Sequence, residues 1–217
     1  MPKVPSNQDT RSTILQVAET QFGAKGYSGT HLQSIAAEVG VQKTALYYYF
    51  ESKQALYAAV LERMLETFDR VFDRTSKRGD LSVETLRTAI EDLNDVLAQN
   101  PNFSRIIMRI FIDRIAVDTS DLEAIVERII SPLLKFYSAG VSAGIFRKMS
   151  SRHALLSLVG AATFYYAAGK SSSDIVGVED VFDADAVDWR RREFSSFVLG
   201  GLLLDQEGSE PGGGESA

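Results

Sequence analysis

Apolar residues recur at intervals of three and four along most of the chain, which is the period of an amphipathic α-helix. The alternation of β-branched and polar residues that is typical of strands is almost absent, and there are only 5 prolines. The pattern therefore predicts an all-α fold. Helices are expected at about 10–24, 30–40, 42–49, 52–78, 82–99, 102–116, from 120 onwards, 150–169 and 185–204.

Capping residues and helix breakers define several of these helix ends. Thr30 and Ser52 are residue types that cap helix N-termini, and Gly40 can end the second helix in a left-handed conformation. Ser120 begins a Ser-x-x-Glu capping box at the start of the seventh helix. Pro132 is expected to kink or split that helix, because proline lacks the N–H that the helical ladder needs.

Two segments are predicted to lie outside the helical body. Residues 171–188 carry 6 acidic and no basic side chains together with serine and glycine, which favours a mobile loop. Residues 205–217 are rich in glycine, serine and glutamate, a composition typical of a disordered tail.

The composition narrows the classes of function. The 217 residues include 0 Cys and 2 His, which excludes disulfides, thiolate metal sites and cysteine nucleophiles, so no metal or cofactor is assigned. Gly169-Lys170-Ser171 resembles the end of a phosphate-binding loop, but Phe164 stands where its first glycine is required. No catalytic residue is therefore assigned.

The hydrophobic pattern also bears on location. No stretch approaches the roughly 20 apolar residues of a membrane span, and the first residues lack the apolar core of a secretory signal. We therefore expect a cytoplasmic chain that does not enter a membrane.

Charge is distributed unevenly along the chain, whose net charge is −6. Residues 1–57 hold five basic and four acidic side chains, whereas the remainder holds 18 basic and 25 acidic ones. This asymmetry permits an N-terminal surface that approaches phosphates while the acidic body is repelled by them.

The second and third predicted helices have the spacing of a helix-turn-helix. Two helices that cross steeply need a small residue on the first, here Ala36, and a turn residue that tolerates positive φ, here Gly40. They also need an apolar plug on the second, here Leu46. In such a motif the second helix enters the major groove of DNA.

The third predicted helix has two chemically different sides. At about 100° per residue, one arc holds donors and aromatic rings suited to phosphates and base edges: Lys43, Thr44, Tyr47 and Tyr48. The other arc holds Ala45, Leu46 and Tyr49. For Tyr49 and Phe50 the favoured interpretation is burial in the core.

These positions form part of a longer motif that resembles the DNA-binding domain of the TetR (tetracycline repressor) family of transcriptional regulators. The matching residues are Phe22-x-x-x-Gly26-Tyr27-x-x-Thr30-x-x-x-x-Ile35-Ala36-x-x-x-Gly40-Val41-x-x-x-x-Leu46-Tyr47-Tyr48-Tyr49-Phe50-x-x-Lys53-x-x-Leu56. The resemblance implies a helix-turn-helix DNA-binding domain over 1–57 and a helical effector-binding and dimerisation domain over 58–204, followed by the tail at 205–217.

The resemblance also implies DNA contacts at particular positions of a double-stranded operator. Thr30 and Lys53 match phosphate contacts, and Gln33 stands where the family often has an arginine. Gln42, Lys43 and Thr44 match the base-reading start of the recognition helix, and Tyr47 and Tyr48 match backbone and base contacts. Tyr49 replaces a frequent histidine.

For the remainder, the resemblance implies a homodimer formed through the last two long helices and a small-molecule effector. Side chains that could line an effector cavity are Phe103, Met108, Phe111, Tyr137, Phe164 and Tyr165. For each of them taken singly, an ordinary core role is the preferred interpretation. Arg105, Arg109 and Arg114 either pair with an acidic ligand or form a solvated helix face, and the second interpretation is preferred. The effector is therefore expected to be largely apolar and to act by shifting the fourth helix.

Two other classes of function stay open at this point. The chain could be an architectural DNA-binding protein without a ligand, which ligand-dependent loss of DNA binding would exclude. It could also be a helical enzyme or a protein-binding adaptor, for which the absence of sequence-specific DNA binding would argue.

Overall fold

A computed structural model describes residues 7–76, 82–112 and 119–204, and these residues fold into α-helices joined by short connections. The only β contact among them is an isolated bridge between Phe146 and Leu203. The predicted all-α class is thus confirmed, whereas the predicted tail lies outside the described residues. The helices are α1 Asn7–Gly29, α2 Leu32–Val39, α3 Lys43–Tyr49, α4 Lys53–Ser76, α5 Val83–Gln99, α6 Pro101–Ile112, α7 Thr119–Ser142, α8 Ser151–Ala168, α9 Lys170–Val176 and α10 Ala184–Leu202.

Several helix ends follow the expected local chemistry. The Ser52 hydroxyl accepts the Ala55 N–H at 3.0 Å, which caps the start of α4. Gly40 ends α2 with φ of 82°, and its backbone N–H donates back into the last turn. None of the helices within the described ranges is long and apolar enough to cross a membrane.

One expectation about the C-terminal half was wrong, and another is narrowed. Residues 170–176 form helix α9 instead of a loop, because Ser172, Ser173 and Val181 are buried and the Ser173 hydroxyl accepts the Val181 N–H at 3.1 Å. The acidic side chains face solvent while these small and apolar residues hold the segment in place. Helix α7 runs through Pro132 without a split, so of the two predicted effects only the kink stays a prediction. Contacts with α4 support α7, including the Arg128 guanidinium, which lies 2.6 Å from a Glu62 carboxylate oxygen and 2.8 Å from one of Asp69.

One continuous core extends from the N-terminal unit (α1 to α3) to the C-terminal unit (α5 to α10), and α4 contributes to both. Near its start, the Tyr57 ring meets the Phe22 ring of α1 edge to face, with centroids 4.9 Å apart. Further along, the rings of Phe68 and Phe103 of α6 lie 5.8 Å apart. The expected domain boundary at 57/58 falls inside this helix, and it stays a prediction.

The segment between α7 and α8 attaches the end of α10 to the rest of the C-terminal unit. The Arg147 N–H donates to the Leu202 carbonyl at 2.8 Å, and the Leu204 N–H donates to the Ile145 carbonyl at 3.2 Å. Between these contacts Phe146 is buried against α7 beside the rings of Phe136 and Tyr137. The Phe146 ring lies directly over Gly140, where a Cβ would overlap it.

Gly140→Ala is therefore expected to destabilise the protein, although alanine is the better helix former. Overpacking of this kind costs about 1–3 kcal/mol of unfolding free energy, whereas the propensity gain is at most about 1 kcal/mol. Denaturant unfolding monitored by circular dichroism measures the difference. In a Phe146→Ala background the same substitution should become neutral or stabilising, and an equal loss in both backgrounds would contradict the overlap.

Candidate nucleic-acid interface

Helices α2 and α3 form the predicted helix-turn-helix, and buried residues fix their crossing. Ala36 and Leu46 are 2% and 1% exposed, and Ile35 is fully buried. The chain reverses at Gly40 in the left-handed region, and the Val41 N–H donates to the Ala36 carbonyl at 2.9 Å. A side chain at position 40 would strain this turn, so glycine allows the close approach of the two helices.

The outer face of α3 is exposed in the way its pattern predicts. Tyr47 and Tyr48 are 46% and 75% exposed, although large aromatic side chains are usually buried. Lys43 and Thr44 share this exposed face, and the Lys43 ammonium lies 5.9 Å from the centre of the Tyr47 ring. On the opposite side Leu46 and Phe50 enter the core, as expected for Phe50. The face thus offers donors and flat apolar surfaces at the same time.

The other predicted contacts lie at the start of α3 and on the neighbouring helices α2 and α4. Gln42 is the exposed N-cap of α3, and Gln33 is exposed on α2. Lys53 begins α4, and its ammonium lies 4.4 Å from the centre of the Tyr27 ring. Partial burial lowers the pKa of the Lys53 ammonium from its ordinary value. These three positions add two amide groups and one cation on α2, α3 and α4.

The predicted role of Thr30 as an exposed cap of α2 was wrong. Thr30 is fully buried, and the residue in the N-cap position is the exposed His31. The Thr30 hydroxyl lies 2.7 Å from the Gly26 carbonyl oxygen and 3.1 Å from that of Gln21, so it serves the end of α1. A threonine in the sequence can serve either neighbouring helix, and only the path of the chain after Gly26 decides between them.

A buried polar contact orients α2 on α1. The Gln21 side-chain amide, in a residue 5% exposed, donates to a Glu38 carboxylate oxygen at 2.6 Å and accepts the Ser34 hydroxyl at 2.6 Å. Because one side chain of α1 makes both hydrogen bonds, they fix the rotation of α2 about its own axis as well as its distance from α1. Sequence reasoning missed this contact because Gln21 lies in an otherwise ordinary amphipathic helix.

Arg11 is a further cation near the interface that the sequence did not single out. Its guanidinium lies 5.0 Å from the centre of the Phe50 ring, at the junction of α3 and α4. No spacing rule predicts this placement, because Arg11 and Phe50 approach each other only through the packing of α1.

The six side chains predicted to line an effector cavity have different environments, and their role in such a cavity stays a prediction. Phe103 is buried against α4, Tyr165 is 9% exposed, and the Tyr137 hydroxyl is used by the segment after α7, where it donates to the Arg147 carbonyl at 2.6 Å. Phe111 and Phe164 are 53% and 58% exposed, so neither is enclosed. Met108 is half-buried, and its sulfur accepts the Thr163 hydroxyl at 3.4 Å.

Two arginines, one on α6 and one on α10, make contacts that the sequence did not predict. Arg109 does not belong to a solvated face, because its guanidinium donates to backbone carbonyls of α1. Arg190 of α10 lies 4.5 Å from the centre of the Tyr165 ring and donates to the Ala161 carbonyl at 2.7 Å. Burial lowers the pKa of Arg190 and raises the pKa of the Tyr165 hydroxyl. Arg114 lies outside the described residues.

Fold and surface together define a class of protein: a helix-turn-helix regulator in which a larger helical unit carries the DNA-binding helices. Residues 14–60 match the family described as bacterial regulatory proteins, tetR family, and residues 83–198 match the tetracyclin repressor-like C-terminal domain. The chain belongs to the TetR family of transcriptional regulators, and it is therefore a regulator and not an enzyme.

Individual relatives agree with this assignment. The chain is 27% identical to the HTH-type transcriptional repressor NicS of Pseudomonas putida over 83% of its own length and 86% of that protein. It is 48% identical to the HTH-type transcriptional regulator RutR of Escherichia coli, but only over 26% of each chain. The ketosteroid transcriptional regulator KstR2 of Mycobacterium tuberculosis shares the fold, with a TM-score of 0.71, 15% identity and coverage of 93% and 99% of the two chains.

Proposed function

We propose that the chain is a repressor that binds a palindromic operator as a homodimer and is released by a small, largely apolar effector. The observation that carries the proposal is the exposed face of α3, where two tyrosines stand in solvent beside Lys43 and Thr44. The similarity to NicS, which is described as a repressor, favours repression.

The proposed DNA contacts follow the exposure of the predicted residues. Gln42, Lys43, Thr44, Tyr47 and Tyr48 read the major groove, while Gln33 and Lys53 contact the backbone. Thr30 supports these contacts only from the interior, since its hydroxyl is engaged by α1. Because phosphate contacts release counterions, affinity falls as salt increases.

Selection of bound duplexes from random DNA tests the operator. The wild type should enrich a palindrome, and the double variant Lys43→Ala, Tyr47→Ala should bind it at least about tenfold more weakly, because good base contacts contribute about 1–3 kcal/mol each. Lys170→Ala, Ile175→Ala is the matched control, since it removes one lysine and one exposed apolar side chain from α9. Equal binding by the two double variants would contradict the proposed face.

The proposed dimer rests on the outer sides of α8 and α10. Leu156 and Phe164 on α8 and Phe197 on α10 are between 58% and 71% exposed, and Trp189 is 43% exposed. Exposed apolar patches of this kind mark interaction sites. Gly160 and Gly200 have open space above them within the chain, so a second copy could approach closely there. A two-fold axis would then place the two α3 helices about 34–36 Å apart, one turn of DNA.

Phe197→Glu should convert the dimer to a monomer, because it places a charge in the centre of an apolar contact. Light scattering should give twice the chain mass of 23.9 kDa for the wild type and the single mass for the variant. Ile175→Glu is the control, since Ile175 is 79% exposed and belongs to α9, not to α8 or α10. A dimeric Phe197→Glu variant would require another interface.

The effector is proposed to enter between α6 and α8. Ser104 of α6 is fully buried, and among the described residues its hydroxyl has no hydrogen-bond partner. Met108 lies one turn further on the same face, where its thioether makes only a weak contact with Thr163. A buried polar group without a partner is costly, so this seam favours opening around a ligand that supplies an acceptor or donor.

Ser104→Ala should leave the unfolding free energy unchanged or raise it by up to about 1 kcal/mol, because it removes an unpaired buried hydroxyl. Ser195→Ala is the control: Ser195 is equally buried, but its hydroxyl donates to the Arg192 carbonyl at 3.1 Å, so the variant should lose about 0.5–1.5 kcal/mol. Thermal unfolding measures both variants. A library compound that releases wild-type protein from the selected operator should release Ser104→Ala less effectively, whereas equal release would place the effector elsewhere.

A further inference from the structure

The end of α1 is held by a side chain from α6. Gly26 has φ of 72° and ψ of 175°, which interrupts the helical hydrogen-bond ladder of α1. Just before this break, the Arg109 guanidinium donates from Nε to the Gly23 carbonyl at 3.0 Å and from Nη2 to the Ala24 carbonyl at 2.8 Å. A cation at a helix C-terminus also interacts favourably with the helix dipole.

Two more contacts fix the same side of α1. The Asn102 amide of α6 lies 3.3 Å from the Thr20 hydroxyl and 3.5 Å from a carboxylate oxygen of Glu19. Glu19 is 8% exposed and also pairs with Arg63 of α4. Gly23 allows the close approach of α6, because a Cβ there would come within 3.3 Å of Asn102.

The N-terminal unit continues directly from these carbonyls. After Gly26 the chain turns, and the Thr30 hydroxyl donates back to the Gly26 carbonyl. Gln21, between the contacts at Glu19 and Gly23, holds α2 through Ser34 and Glu38. A displacement at the end of α1 therefore moves α2 and α3 together with it.

We propose that Arg109 is a positioning residue for operator recognition, because it fixes the orientation of the N-terminal unit on the C-terminal unit. This inference rests on the proposed function, in which a dimer binds two half-sites. It assigns the connection between the two units to α6 as well as to α4. Arg109 itself need not touch DNA.

The physical consequence concerns the second half-site. Once one recognition helix is bound, the effective concentration of the other depends on how narrowly its position is defined. Loss of the two Arg109 hydrogen bonds broadens that distribution. Binding to a single half-site stays the same, whereas the advantage of a correctly spaced pair of half-sites falls.

The test compares duplexes that carry one half-site with duplexes that carry two half-sites at the selected spacing or with the spacer changed by one or two base pairs. The wild type should prefer the selected spacing sharply. Arg109→Ala should lose about tenfold in affinity at that spacing, in line with the loss of hydrogen bonds to a charged donor. It should lose little on altered spacers or single half-sites, so the spacing preference flattens.

Arg105→Ala is the matched control, because it removes an arginine one turn earlier on α6, whose guanidinium lies beside Gly169. It should keep the wild-type spacing preference. Arg109→Lys should give an intermediate preference, since lysine keeps the charge but lacks the planar fork. Hydrogen exchange of the amides around Gly26, measured without DNA, should accelerate in Arg109→Ala and not in Arg105→Ala.

The outcomes separate this inference from the proposed function. If the wild type binds neither single nor paired half-sites, the proposed function is wrong and the inference is wrong with it. If Arg109→Ala binds a half-site normally and keeps the sharp spacing preference, only the inference is overturned. A loss of affinity on every duplex, including single half-sites, also overturns it, because that result indicates damage to the N-terminal unit itself.

Discussion

The packing of aromatic side chains along α4 is the contact on which both units depend. Tyr57 packs on Phe22 at one end of the helix, and Phe68 packs on Phe103 further along. Since these residues belong to one helix, the two ends of the core cannot rearrange independently without bending α4 or breaking one of the ring contacts. Helix α4 therefore couples the packing of the two units as well as joining them along the chain.

The sequence was most informative where one residue type has few alternatives. Gly40 at a turn and Leu46 six residues later are typical of a helix-turn-helix, and the exposed arc from Lys43 to Tyr48 followed from helical periodicity alone. These features depend on local geometry, which short-range patterns encode well.

The same reasoning failed where contacts between residues far apart in the chain determine the partners of a side chain. Thr30 could cap the start of α2 or bind carbonyls at the end of α1, and only tertiary packing directs its hydroxyl to Gly26. Arg109 looks like a surface arginine, although its partners stand 85 and 86 residues earlier in the chain. The acidic composition of 171–188 concealed helix α9, because three buried residues outweigh the solvated charges.

The side chains on the exposed face of α3 contribute little to the packing of the core. Lys43, Thr44, Tyr47 and Tyr48 are all exposed, whereas Leu46 alone anchors the middle of the helix. Exposed substitutions usually change folding free energy by less than about 0.5 kcal/mol. Under the proposed function, mutations on this face that alter which DNA sequence is read carry almost no folding penalty. During evolution, such a protein can acquire a new target gene while its scaffold stays intact.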